Sequence, residues 1–131
     1  MNLDHVCICV SDLELAIKKY EKILSTNNWK TEEFDGMRIC FFELGNAKIE
    51  LIQPIDNPNL QKFIEKRGEG LHHIALSLEN IEEKLIELKG KGIKLIDEKP
   101  RKGAMGRKVA FVHPKELSNV LIEFVEEGLC Q

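Results

Sequence analysis

Two stretches of this chain can be laid over one another. Leu3 to Glu14 aligns with Leu71 to Glu82, apolar residue on apolar residue, and the alignment puts His5 on His73, 68 positions later. A second match sets Ile49–Ile52 on Ile122–Val125 and places Glu50 on Glu123, 73 positions later. Two anchors at nearly equal offsets mark a duplicated unit of about half the chain. The five-residue difference between the offsets fits within loops, where extra length costs little.

Each copy reads as βαβββ. Leu3–Val10 is rich in valine and isoleucine and is expected to be a strand. Leu13, Ala16, Ile17, Tyr20, Ile23 and Leu24 then recur at helical spacing, behind a possible Ser11/Glu14 capping box. In the second copy Asn80 and Glu83 offer the same box, Ile81, Leu85 and Leu88 form the apolar stripe, and Gly90 and Gly92 end the helix. Three strands are expected after each helix: Trp29–Phe34, Met37–Leu44 and Ala47–Gln53, then Lys94–Glu98, Lys108–Val112 and Val120–Val125. Asp35-Gly36 and Gly45-Asn46 supply hairpin turns. The expected fold is therefore α+β, with module one over about 1–55, a connector helix over about 58–66 and module two over about 70–127, all in one domain. A length of 131 residues suits one domain.

Strand alternation decides where the ionisable residues point. Val6, Ile8 and Val10 should pack under the first helix, leaving His5, Cys7 and Cys9 opposite. Ile74, Leu76 and Leu78 leave His73, Ala75 and Ser77 opposite, and Glu50 and Glu123 are each flanked by apolar residues that face the other way. A carboxylate is costly to bury unless it is paired or bound to metal. If the modules pack about a pseudo-twofold, His5, Glu50, His73 and Glu123 converge on one metal-lined cleft. Two imidazoles and two carboxylates suit Co, Ni, Zn, Mn or Fe(II). Any one of the four, taken alone, reads as an ordinary core or solvent-facing residue; the duplication is what joins them. His72 points to the other face, and His113 sits in a turn before Pro114-Lys115.

Composition closes off other classes. A net charge of −3 gives no nucleic-acid footprint, and no apolar run approaches the roughly 20 residues needed to span a bilayer. The start of the chain lacks a signal-peptide pattern, so a cytoplasmic location is expected. Cys7, Cys9, Cys40 and Cys130 form no C-x-x-C pair and read as small buried hydrophobes, with Cys7-x-Cys9 as soft metal ligands the lesser alternative.

The repeated His…Glu…His…Glu pattern resembles the vicinal oxygen chelate superfamily, which includes bacterial glyoxalase I and extradiol dioxygenases. Over nearly its whole length the chain is similar to the methylmalonyl-CoA epimerases. Leu3–Val6, Leu44–Ile52, Lys62–Ala75, Lys108–Lys115 and Val120–Glu123 carry the likeness. The resemblance implies a divalent metal (Co, Ni, Zn or Mn) on His5, Glu50, His73 and Glu123, with position 50 a glutamine in some epimerases. It implies epimerisation of methylmalonyl-CoA by α-proton abstraction through a metal-stabilised enolate, with Glu123 and Glu50 as the catalytic carboxylates. It implies an acyl-CoA partner and a homodimer, the ligands coming from one chain or shared between two. The chain departs from the pattern in three places: Met105 stands where a histidine is frequent, Glu116–Asn119 replaces a glycine-richer turn, and Ile39 stands at the position of a second glutamate base. Glu43, four residues further on, is a displaced substitute. The alternative readings are a glyoxalase I isomerase and a metal-free binding or resistance protein of the same fold.

Overall fold

A computed structural model describes residues 1–128 and divides them between two compact units, one of residues 5–72 and the other of residues 1–4 with 73 onward. In the first unit, strand β1 (Asn2–Cys9, of which only the part from His5 belongs here) is followed by α1 (Leu13–Leu24), β2 (Trp29–Phe34), β3 (Met37–Leu44), β4 (Ala47–Pro54) and α2 (Pro58–Arg67). β1 runs parallel to β4, β4 antiparallel to β3, and β3 antiparallel to β2. In the second unit, β5 (Gly70–Leu78, from His73 on) is followed by α3 (Ile81–Gly90), β6 (Arg101–Lys102), β7 (Lys108–Val112) and β8 (Ile122–Glu126). The pairing repeats: β5 parallel to β8, β8 antiparallel to β7, β7 antiparallel to β6. No helix among the described residues is long and apolar enough to cross a membrane.

Register confirms the duplication residue by residue. Cys7 lies beside Glu50 in the first parallel pair and Ala75 beside Glu123 in the second, so the offsets of 68 and 73 read from the sequence are also the structural ones.

The helices begin where short polar side chains can hold their first amides. Asn57 accepts from Leu60 N, and Asn80 from Glu83 N as expected. For α1 the cap is Asp12 rather than Ser11, its Oδ1 accepting from Leu15 N at 3.1 Å. The Ser11 amide is turned away and donates to Glu69 Oε2 at 2.7 Å. Leu13 and Ile17 bury the inner stripe of α1 against Val10, Cys40, Phe42 and Leu51, with Ala16, Tyr20 and Leu24 closing the edge. Ile23, counted into that stripe from its spacing, is instead 81% exposed. Ile81 and Leu85 pack on Leu78, Ala110, Val112 and Phe124 in the second unit.

The expected strand over Lys94–Glu98 does not form. Only Leu95 makes a bridge, to Val112, and both Ile96 N and Asp97 N donate to the single carbonyl of Phe111. Two amides on one carbonyl break the ladder as a bulge does, and the strand here is the short β6. The last strand starts at Ile122 instead of Val120 because Ser118 and Asn119 both adopt left-handed backbone (φ 57° and 65°). Both lie in the Glu116–Asn119 segment, and asparagine tolerates that region better than most L-residues.

In the second unit Arg107 forms a buried two-pronged ion pair with Asp4, Nη1 to Oδ2 at 3.1 Å and Nη2 to Oδ1 at 2.8 Å. In the first, Gly36 (φ +71°) turns the β2–β3 hairpin while its carbonyl accepts from Ile55 N and Asp56 N. A Cβ at Gly36 would collide with the Asp56 carbonyl oxygen. Gly36→Ala is therefore expected to lose about 2 kcal/mol or more of stability, read as a lower urea midpoint.

Candidate metal centre

Residues paired across neighbouring strands share a face, so the register defines two matching rows. Phe41, Glu50 and Cys7 form one, on β3, β4 and β1; Phe111, Glu123 and Ala75 form the other, on β7, β8 and β5. His5 and His73 stand two residues before Cys7 and Ala75, hence on the same faces. The structure brings His5 to Glu50, with Nε2 3.3 Å from Oε1, and His73 to Glu123, with Nε2 3.2 Å from Oε1. All four residues are buried, between 6% and 8% exposed.

Each pair therefore has one imidazole nitrogen and one carboxylate oxygen turned toward each other in a place that water scarcely reaches. A buried carboxylate demands a compensating positive charge or a set of donors. An imidazole nitrogen with a carboxylate oxygen is also a donor set that borderline divalent metals accept. On donor chemistry the His5–Glu50 pair of one unit and the His73–Glu123 pair of the other each fit such a metal.

The sequence reading passed over one element of the arrangement. Phe41 meets the His5 ring edge-on (centroids 6.2 Å apart, planes at 81°), and Phe111 meets His73 in the same way (5.4 Å, 89°). The signal was present: a phenylalanine faces the glutamate from the preceding strand of the hairpin in both copies. These ring contacts help to hold each imidazole beside its glutamate.

The remaining candidates fall elsewhere. Ile39 is wholly buried and shares the Glu50 face, so that position offers no proton acceptor. Glu43 lies at the exposed end of β3 opposite Lys48. His72 sits edge-on to Phe63 of α2 at 4.8 Å, and Arg67 covers the same phenylalanine at 5.5 Å. His113 accepts from Lys115 N through Nδ1 and holds the turn after β7. Met105 takes left-handed backbone (φ 60°) between Gly103 and Gly106. Cys7, Cys9 and Cys40 are buried, as expected, while Cys130 lies outside the described residues.

Comparison with known proteins agrees with this picture. The model of the Glyoxalase/Bleomycin resistance protein/Dioxygenase superfamily matches residues 4–111. The chain is 40% identical over 128 residues to the uncharacterized protein YqjC of Bacillus subtilis, covering 95% of this chain and 91% of that one. It is 37% identical over 126 residues to the human mitochondrial methylmalonyl-CoA epimerase, covering 92% of this chain and 71% of the relative. Among solved structures, a Streptomyces coelicolor methylmalonyl-CoA epimerase variant in complex with 2-nitronate-propionyl-CoA superposes with a TM-score of 0.91 at 27% identity, covering 100% of this chain and 97% of the other. The chain belongs to the glyoxalase/bleomycin resistance protein/dioxygenase superfamily and, within it, to the methylmalonyl-CoA epimerase family.

Burial pushes the Cys9 thiol up to about 11, with repulsion from Glu50 adding to it, and the Cys40 thiol up to about 12, with Glu21 adding. The thiolate is the reactive form, so iodoacetamide at pH 8 should leave both residues unmodified in the native protein. Both should be labelled in urea, as read by peptide mapping.

Proposed function

We propose that this protein interconverts the C2 epimers of methylmalonyl-CoA, using a divalent metal held by His5, Glu50, His73 and Glu123. The observation that carries the reading is the duplicated pair: a buried histidine against a buried glutamate, at equivalent register in both repeats of an epimerase-family chain. A pure binding module has no use for two buried carboxylates, each of which costs free energy to desolvate.

The reaction needs an α-proton removed from C2 and a proton returned to the opposite face of the resulting planar carbon. A divalent metal in this site would supply Lewis-acid stabilisation of the developing enolate charge. Glu123 takes the C2 proton, being a carboxylate whose strand neighbours Ile122 and Phe124 face away from it, and whose own face carries the apolar Ala75, Val109 and Val125. Those apolar neighbours exclude water and slow leakage of the abstracted proton to solvent. Glu50 is the corresponding group of the other repeat and, entering the step as the neutral acid, delivers its own proton to the opposite face of C2 while Glu123 keeps the one it abstracted; in the reverse direction the two exchange roles. Ile39 and Ile52 are buried on its face and Glu43 is exposed, and Glu50 lies buried against His5 whereas Glu32, beside Ile39 on the same face, is only half-buried, so this reading takes Glu50 as the second base of its unit. The site side chains thus have double duty, as ligands and as acid–base groups.

Glu123→Gln tests the assignment. Amide oxygen still ligates, so the variant should keep about the wild-type metal content. Exchange of deuterium from heavy water into C2 should fall about 10²–10⁴-fold. Normal exchange in that variant would sink the role given to Glu123. Wild-type protein should carry close to one metal per chain by elemental analysis, and conversion of a methylglyoxal–thiol adduct should be absent.

The working form in this reading is a homodimer. Light scattering should return twice the chain mass of 15.0 kDa, and a monomeric mass would count against it.

A further inference from the structure

One guanidinium shares the face of the second His–Glu pair. β6 pairs with β7 so that Arg101 lies beside Val109, and Val109 lies two residues before Phe111 and beside Val125. Arg101 therefore points to the same side of its sheet as Phe111 and Glu123. Its Cζ stands 5.3 Å from the Phe111 ring centroid, and the same ring meets His73 edge-on. A single aromatic ring separates the guanidinium from the imidazole.

The side chain is held rather than loose. Asp97 divides its two oxygens: Oδ2 accepts from Phe111 N at 2.8 Å, and Oδ1 accepts from Arg101 Nε at 3.1 Å. That carboxylate, itself largely covered, ties the arginine to the strand that carries the phenylalanine. The cation–π contact with Phe111 and the Nε hydrogen bond hold the guanidinium in place, while the Nη edge makes no hydrogen bond among the described residues and the side chain is 52% exposed. A planar fork fixed at one end and open at the other is the arrangement that recognises oxyanions in bidentate fashion.

The other repeat lacks this device. By register, the counterpart of Arg101 is Glu32, which lies beside Ile39 just as Arg101 lies beside Val109. A carboxylate there repels the anion that a guanidinium attracts. The repeat that shares its His–Glu pair thus differs in sign at the neighbouring strand.

We propose that Arg101 forms an oxyanion subsite beside the His73–Glu123 pair, taking a carboxylate or phosphate of an acyl-CoA. The choice of an acyl-CoA rests on the function proposed above; the anion subsite itself rests on Arg101, Asp97 and Phe111. Fixing the anion against one repeat orients the ligand toward Glu123 and breaks the equivalence of the two glutamates.

The test is calorimetric titration of wild type, Arg101→Gln and Arg101→Lys with malonyl-CoA and with malonyl-pantetheine, which keeps the carboxylate and lacks the phosphates. Arg101→Gln should weaken malonyl-CoA binding about ten- to a hundredfold, and Arg101→Lys should recover only part of the loss because it lacks the planar fork. An equal loss for malonyl-pantetheine identifies the carboxylate as the anion held; a loss confined to malonyl-CoA identifies a phosphate. Unchanged affinity for both ligands in Arg101→Gln, with melting temperature unaltered, overturns the proposal, as does a wild type that binds neither. A wild type that binds through Arg101 yet catalyses no exchange at C2 leaves the subsite standing and removes the epimerase reading instead.

Discussion

A carboxylate inside a sheet that is covered on both sides is an expensive thing to fold. Glu50 and Glu123 each meet that cost in the same way, against a histidine on the neighbouring parallel strand. Much else follows from the need to hold that contact. The parallel pairing sets the histidine strand beside the glutamate strand, and the hairpin before it delivers a phenylalanine edge to the ring. A small residue, Cys7 or Ala75, lies beside the carboxylate and leaves it room. The helices bury the opposite face, so that the polar face is free to be specialised.

That face is covered more fully than simple alternation suggests. Cys7, Cys9 and Ala75 are entirely inaccessible, whereas Ile8 and Leu76, on the helix side, are only partly buried. Sequence patterning sorted the residues between faces correctly but ranked the faces by hydrophobicity, which is a different quantity from burial. The same limit explains Ile23, whose spacing fits the α1 stripe although it lies at the stripe's outer edge.

Where local rules suffice, the sequence was legible. β2, β3 and β7 have the bounds read from alternation and turn residues, and the asparagine cap of α3 is in place. The histidine–glutamate pairs were legible only because the chain repeats itself, since no single one of the four has a local signature. The failures share a cause. The Lys94–Glu98 segment alternates like a strand, but Asp97 turns inward to hold the Phe111 amide and Arg101, and that long-range contact redirects the backbone. Asp12 takes the cap from Ser11 because the Ser11 amide has a distant partner in Glu69. Arg101 itself reads as one more surface cation until its strand partner and its ring are known.

The ion pair between Asp4 and Arg107 has a bearing on how such a chain came to be. The line along which the sequence repeats and the line along which the structure divides are not the same, since residues 1–4 are grouped with the second copy. Severing the chain between its repeats would part Asp4 from Arg107 and strand a buried guanidinium, a loss of about 3–5 kcal/mol for pairs of this kind. Through this pair the buried arginine of the second copy depends on a carboxylate of the first. An ancestor of half this length would have had to find that carboxylate elsewhere, or to do without the arginine.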